Sequence, residues 1–187
     1  MTDGTDDPDL VKRCVDGDRE AFAPLVARYE RPLFNVALRM VGDREDARDI
    51  TQTAFVKAYQ KLGSYDPRYR FFSWIYRIAI NECLNHRARR RRSEALDPQL
   101  RATQGDPERA AEAGELDMRI RAALAALPLD QRLALVLRYF LDLSYDEMSE
   151  ILLVPEKTVK SRLHEARERM GSALQRAEAP PARSHVP

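Results

Sequence analysis

The chain has 187 residues, 44% of them hydrophobic and 33% charged, which suffices for one or two small cores with a charged coat. Its 31 Lys and Arg against 30 Asp and Glu leave a formal charge of +1, so net charge alone points to no partner. No run of about eighteen apolar residues could span a bilayer, and the acidic start with Asp3, Asp6, Asp7 and Asp9 is unlike a signal peptide. No membrane insertion is expected, and the expected compartment is the cytoplasm. Two cysteines, Cys14 and Cys83, cannot make a disulfide framework and agree with a reducing interior. Cys83 precedes His86 by three residues, a spacing seen in zinc sites, but no second pair of ligands accompanies it, so neither metal nor cofactor is expected. There is no Gly-rich phosphate loop and no His-Glu-x-x-His, and His86, His164 and His185 are dispersed; neither an enzyme nor a small-molecule substrate is expected.

Taken in order, Pro8-Asp9 opens a short helix holding Leu10, Val11, Cys14 and Val15, which Gly17 ends. Asp18 caps the next, with Ala21, Phe22, Leu25, Val26 and Tyr29 at helical spacing and a bend expected at Pro24. A third run carries Leu33, Phe34, Ala37, Leu38 and Val41, closed by Gly42. From Asp43 to Leu62 the pattern is most regular: Ala47, Ile50, Ala54, Ala58 and Leu62 form a core stripe flanked by Phe55 and Tyr59. Asp46, Asp49, Gln52, Thr53 and Lys57 lie away from it, as periodicity expects of a solvated face.

Gly63 to Arg70 breaks the pattern and carries Tyr65, Arg68, Tyr69 and Arg70, with Phe71 and Phe72 directly after. Aromatics among arginines suit unstacked bases, each stack contributing on the order of 1 to 3 kcal/mol. Phe71, Trp74, Ile75 and Ile78 continue at helical spacing and are expected to pack the core. The helix from Ser73 exposes Arg77, Asn81 and Asn85 and runs into a basic end. From Arg68 to Arg92 there are eight arginines against one acid, Glu82, a net +7, which reads as a track for a nucleic-acid backbone.

Ser93 to Glu115 is linker by composition, with Pro98, Pro107, Gly105 and Gly114 and a net charge of −4. Extended, it would reach at most roughly 75 Å, about two turns of duplex at ~34 Å each. A second domain starts near Leu116 with Ile120, Ala123, Leu124 and Leu127, stopped by Pro128, and continues in a helix from Leu129 to Phe140. Ser144 with Glu147 is a capping box that opens a helix at Tyr145. Leu153-Val154-Pro155 interrupts it, and another helix begins near Glu156. On this last helix Val159, Leu163, Ala166 and Met170 share one face, while Lys157, Lys160, Ser161 and His164 fall opposite. Between Val154 and Arg176 six Lys/Arg against three Glu give +3. Capping box, turn proline and basic face together read as a helix-turn-helix suited to the major groove. The tail after Arg176 is expected to be disordered.

The expected fold is all-α: two small helical domains joined by a flexible linker, the C-terminal one a helix-turn-helix, with parts at 1–92, 93–115, 116–176 and 177–187. This order of parts resembles the extracytoplasmic-function (ECF) sigma factors of bacterial RNA polymerase. The resemblance covers roughly Asp9 to Arg176 and rests on Asp46-Ala47-Arg48-Asp49-Ile50-Thr51-Gln52, on Phe55, and on Phe72-Ser73-Trp74-Ile75-Tyr76-Arg77-Ile78-Ala79 with its arginine run. In the second half it rests on Leu127-Pro128, Leu137-Arg138-Tyr139-Phe140, Leu143-Ser144-Tyr145-Asp146-Glu147, Val154-Pro155 and Thr158-Val159-Lys160-Ser161-Arg162-Leu163-His164.

The resemblance implies a promoter-specificity subunit with three working surfaces. Asp46, Asp49, Gln52 and Phe55 would bind core RNA polymerase, which replaces the solvated-face reading of that helix. Tyr65, Arg68, Tyr69, Arg70, Phe72, Trp74, Arg77, Asn81 and Asn85 would bind and melt the downstream promoter element, capturing a flipped base in the loop from Gly63 to Phe72. Lys157, Thr158, Lys160, Ser161, His164 and Arg167 would read the upstream element as duplex. The acidic linker would thread through polymerase toward its active site, and an anti-sigma protein is implied as a further partner. Three residues depart from the family pattern: Leu153 where glycine is usual in the turn, Glu165 in place of a basic residue, and Thr53 where Glu is usual. The helix-turn-helix alone would also suit a stand-alone dimeric regulator on a palindrome. That alternative leaves the aromatic loop and the Asp46 to Gln52 helix without a use.

Overall fold

The computed structural model describes residues 6–96 and 114–178. Residues 97–113 of the expected linker and 179–187 of the expected tail lie outside the described residues. Among the described residues the fold is all-α, with helices α1 Asp7–Val15, α2 Phe22–Val41, α3 Arg44–Gln60, α4 Phe71–Leu96, α5 Glu115–Ala126, α6 Leu129–Phe140, α7 Tyr145–Leu152 and α8 Glu156–Glu178. No helix among them is long and apolar enough to cross a membrane. Two helices overrun the expected limits. α4 passes residue 92 to end at Leu96, and α8 continues beyond Arg176 to Glu178.

Local chemistry sets the starts and stops. The Asp6 carboxylate accepts from the Asp7 amide at 2.8 Å to cap α1, and Gly17 leaves it at φ +106°. The Asp18 carboxylate accepts from the amides of Glu20 and Ala21 at 3.1 and 3.3 Å, which caps a single 3₁₀ turn, Arg19–Ala21, rather than a full helix. The two runs expected between Ala21 and Val41 are one helix, α2, without a break at Pro24. Pro24 falls in the first turn, where a backbone donor has no intrahelical acceptor to lose. The interior proline is Pro32, and α2 continues through it because Leu25, Tyr29, Leu33, Val36, Ala37 and Met40 are all buried along its length. Gly42 ends it at φ +85°, donating its amide to the Leu38 carbonyl at 2.8 Å.

The first core lies between α2, α3 and α4, with α1 laid across it. The α3 stripe of Ala47, Ile50, Ala54 and Ala58 is buried as its period requires. Small alanines at three of those positions let α3 approach its neighbours closely. Tyr29 packs against Phe71 at 5.7 Å between ring centres and donates its hydroxyl to Asp7, which also pairs with Arg28. Burial, then that hydrogen bond, pushes the Tyr29 hydroxyl pKa well above its ordinary value, so it remains a donor.

The second half packs α6 against α8 and α7 against both. α6 buries every residue from Gln131 to Leu137, and a helix buried all round needs cover on both sides. α8 supplies one side, and α2 of the first half supplies the other. The two halves therefore share one continuous apolar core. Arg132, 3% exposed, pins that junction: its Nη1 donates to the Met40 carbonyl of α2 at 2.9 Å and its Nη2 to the Ala125 carbonyl of α5. Nearby, the Arg39 guanidinium sits 3.7 Å from the centre of the Phe140 ring.

In the turn between α7 and α8, Leu153 takes φ 53°, ψ 41°, a left-handed conformation that costs an ordinary side chain roughly 1–2 kcal/mol. The Ser149 hydroxyl donates to the Val154 carbonyl at 2.7 Å and holds the turn closed over that strain. Leu153 is 67% exposed, so its side chain returns little packing energy. Leu153→Gly is expected to raise stability by about 1 kcal/mol, read as a higher urea midpoint at unchanged slope.

Candidate nucleic-acid interface

The loop between α3 and α4 begins with a 3₁₀ turn, Leu62–Ser64, and is held by its own side chains. The Tyr65 hydroxyl donates to the Tyr69 carbonyl at 2.5 Å. Its ring rests against Phe71 at 5.7 Å and Trp74 at 5.5 Å. Asp66 grips Arg68 through Nε and Nη2 at 2.9 and 2.6 Å, and also accepts its amide at 3.0 Å. That pairing holds the Asp66 carboxyl below its ordinary range and raises Arg68. Tyr69 is left 53% exposed at the tip. Phe72 is not part of this loop. α4 starts at Phe71, two residues before the expected Ser73, and the half-buried Phe72 ring lies 4.5 Å from Tyr76 and 6.3 Å from Tyr29.

Along α4, Asn81 and Asn85 are exposed one turn apart, while Trp74 and Arg77 on the same face are half-buried. Arg77 Nε is buried without a hydrogen-bond partner among the described residues. Arg70, at the end of the loop, reaches the other half of the molecule. It donates to Glu147 at 2.8 Å and Asp146 at 3.0 Å and lies 3.8 Å from Glu150, and the buried Ser73 hydroxyl donates to Glu150 at 2.7 Å. One candidate residue is thereby clamped onto the first helix of the helix-turn-helix. No periodicity argument connects positions 70 and 147.

The capping box is present: Ser144 Oγ accepts from the Glu147 amide at 3.2 Å, and Glu147 accepts from the Ser144 amide at 2.8 Å. On α8, Lys157, Lys160, Ser161, His164 and Arg167 are exposed, Thr158 is half-buried, and Val159, Leu163 and Ala166 are buried. The outward face is partly self-paired. Lys160 meets Glu156 at 3.1 Å, the Ser161 hydroxyl donates to Glu165 at 3.1 Å, His164 lies 3.5 Å from Glu168, and Arg167 Nε donates to the Leu163 carbonyl at 3.2 Å. Glu165 also accepts from the buried Gln131 at 2.8 Å. Its carboxylate thus ties α8 to α6, a use that a charge in this position does not announce in sequence.

The four α3 candidates do not converge. Asp46 turns toward α4, 3.2 Å from His86 Nε2 and 3.7 Å from Arg90. Asp49 is exposed. Gln52 and Phe55 instead line a groove of about 530 Å³ between α2 and α3. Its walls include Val26, Phe34, Arg48 and Val56, none of which the sequence assigned to a working surface. Val56, an apolar residue off the α3 core stripe and 49% exposed, was the signal available. Cys83 is fully buried, which pushes its thiol up to about 12, and no group of three or more His, Cys, Asp or Glu among the described residues is placed to hold a metal ion.

These surfaces lie on two segments that match known families, Sigma-70 region 2 over residues 25–93 and Sigma-70, region 4 over residues 117–170. The RNA polymerase sigma-H factor of Pseudomonas aeruginosa is 37% identical, over 90% of this chain and 94% of its own. The ECF RNA polymerase sigma factor SigW of Bacillus subtilis is 34% identical, over 88% of this chain and 94% of its own. The chain belongs to the ECF sigma factors. Its fold is similar to that of CnrH in its complex with the cytosolic domain of CnrY, with a TM-score of 0.71 and 25% identity over 91% of this chain and 97% of the other.

In this sigma factor the Glu147 carboxylate is held below its ordinary 4.5, first by the Ser144 amide, with the Ser144 hydroxyl and Arg70 adding to it. A depressed carboxylate contributes stability that is complete above the ordinary value and lost as pH falls through the folded one. Acidification below pH 4.5 should therefore weaken both the cap and the Arg70 contact, and Glu147→Gln should flatten that limb of a stability–pH curve. The aromatic pair separates equally clearly. Phe72→Ala should cost about 3 kcal/mol of stability, while Tyr69→Ala should leave the unfolding midpoint unchanged and reduce promoter opening, followed by permanganate reactivity of unpaired thymines.

Proposed function

We propose that this sigma factor assembles with core RNA polymerase through α3, reads two promoter elements with α4 and α8, and opens the downstream one. The exposed Asp49 and the Gln52–Phe55 edge of the groove between α2 and α3 are the polymerase contacts, with Val56 and Phe34 adding apolar area beside them. Asp46 contributes by fixing α3 against His86 and Arg90. Tyr69, exposed at the loop tip, receives an extruded base, and Arg77, Asn81 and Asn85 lie along the opened strand. No covalent chemistry is required. Binding energy for the extruded base offsets an unstacking cost of a few kcal/mol. Phe72 supports the ring cluster from within rather than stacking on a base.

Lys157, Lys160, Ser161 and His164, exposed together on one face of α8, contact the upstream element in duplex form. Thr158 and Arg167 flank them. The protein acts in the cytoplasm on the nucleoid as an initiation factor for a signal-responsive regulon. An anti-sigma protein is a further partner, supported by the similarity to CnrH, whose structure is of a complex with the cytosolic domain of CnrY. The acidic stretch between Ser93 and Glu115 passes through polymerase toward its active site.

The observation that carries this reading is the pairing, in one chain, of an aromatic, arginine-bordered loop with a helix-turn-helix whose outer face is cationic. A stand-alone regulator needs only the second. Run-off transcription with bacterial core polymerase, with and without the protein, on fragments of its own upstream DNA tests it. Discrete starts that require the protein are expected. A protein that shifts those fragments as a dimer and directs no start would instead be a regulator. Lys160→Ala should weaken upstream-element binding on all sequences alike and lower the slope of log affinity against log salt by about 1.

A further inference from the structure

Ser161 shares the outward face of α8 with Lys157, Lys160 and His164. A hydroxyl both donates and accepts, so a serine free to turn suits either kind of base edge. Ser161 is not free to turn. Its Oγ lies 3.1 Å from Glu165 Oε1, one helical turn on, and because a carboxylate only accepts, the hydroxyl proton is directed at Glu165. The other oxygen of that carboxylate, Oε2, accepts from Gln131 Nε2 at 2.8 Å. Gln131 is 4% exposed and lies in the first turn of α6, where its neighbour Asp130 also reaches α8, 3.4 Å from Arg162 Nε. The ion pairs on this face differ in kind: Glu156 with Lys160 and Glu168 with His164 each join two exposed side chains of one helix, and such pairs exchange readily with water. A carboxylate whose second oxygen is fixed to a buried amide of another helix has no such freedom. Both helices belong to the second half of the chain, so the relay from Gln131 through Glu165 to Ser161 is internal to the helix-turn-helix domain.

We propose that Glu165 is a positioning residue that fixes the polarity of Ser161, so that α8 selects an exocyclic amine at the base pair Ser161 faces. This rests on the reading of α8 as the helix that contacts the upstream element. With its proton committed to Glu165, Ser161 Oγ presents only lone pairs to the groove. The major-groove donors are the N6 amine of adenine and the N4 amine of cytosine, whereas purine N7, guanine O6 and thymine O4 are acceptors. An amine there completes a chain of donor, hydroxyl and carboxylate in which each hydrogen bond polarises the next. An acceptor in the same place meets lone pair against lone pair, with the charge of Glu165 behind it. A basic side chain at position 165 offers only donors and leaves the hydroxyl free to turn; the acid found here does not. Gln131 Oε1 is buried without a hydrogen-bond partner among the described residues, so the contact with Glu165 is what orients this amide.

Competition binding of the full chain in complex with bacterial core polymerase, on duplexes of the promoter that run-off transcription identifies, tests the proposal. Single base-pair changes across the upstream element, compared between the unaltered protein and Ser161→Ala, locate the base pair at which Ser161 acts. There, a nucleotide analogue lacking the exocyclic amine is expected to cost the unaltered protein about fivefold in affinity and Ser161→Ala nothing, while a 7-deazapurine in the same pair costs neither. Glu165→Ala frees the hydroxyl to donate, and its preference against the inverted base pair is expected to fall by roughly threefold or more. Glu165→Gln is expected to keep that preference, because its amide oxygen still accepts from Ser161 once the Gln131 amide turns over to offer Oε1. Exposed helix positions tolerate alanine, and unchanged preferences at the other base pairs show that each variant still folds and docks. Affinity lost with N7 or a carbonyl oxygen rather than with the amine, or an unaltered preference in Glu165→Ala, overturns the proposal and leaves α8 as the reading helix. So does a Ser161→Ala protein that changes no base preference. A complex with no base preference anywhere in the upstream element overturns the reading of α8 and this proposal with it.

Discussion

A guanidinium taken almost wholly out of water is the constraint on which the arrangement of this protein turns. Desolvating an arginine costs several kcal/mol unless its donors are used, and Arg132 uses two of them on carbonyls near the C-terminal ends of α2 and α5. Those ends carry the negative pole of each helix, so charge and hydrogen bonding act together. Because the two carbonyls belong to different halves of the chain, satisfying one side chain fixes the halves together. The apolar seam of α6 on α2 then closes around it, and Phe140 is brought beneath Arg39.

From that junction follows the placement of the loop that carries Tyr69. With α7 against α4, Arg70 faces three carboxylates and Ser73 finds Glu150. Arg70 is half exposed, and pairs of this kind contribute up to about 1 kcal/mol each and weaken with salt. The contact that engages a candidate nucleic-acid residue is thus the weaker part of the junction, and the buried arginine with its apolar seam is the stronger. An ECF sigma factor built this way keeps one of its arginines occupied by protein carboxylates in the packed arrangement.

Much of this molecule is legible from local rules. The Ser144–Glu147 box, the helix from Leu129 to Phe140, the alanine stripe of α3 and the outward cationic face of α8 follow from capping chemistry and from a period of 3.6 residues. Those signals depend only on neighbours a few positions apart. The same rules misplaced what depends on burial. Pro24 reads as a bend, yet the helix runs through because its first turn tolerates proline and the whole length of α2 is covered. Phe72, which the family resemblance placed in the loop, packs between Tyr29 and Tyr76, because whether a ring at a helix start faces solvent is decided by the partner helix.

The sequence by itself determined most of the helices, the Ser144 and Gly42 helix ends and the family, since each is written in short-range spacing or in motifs kept in order. Only the tertiary structure decided that Arg132 bridges α2 and α5, that Glu165 serves Gln131, and that Asp46 faces α4 while Phe55 faces a groove. Each of these joins residues far apart in the chain, or assigns a side chain to one of two faces. Residue spacing carries no term for either, and packing settles both.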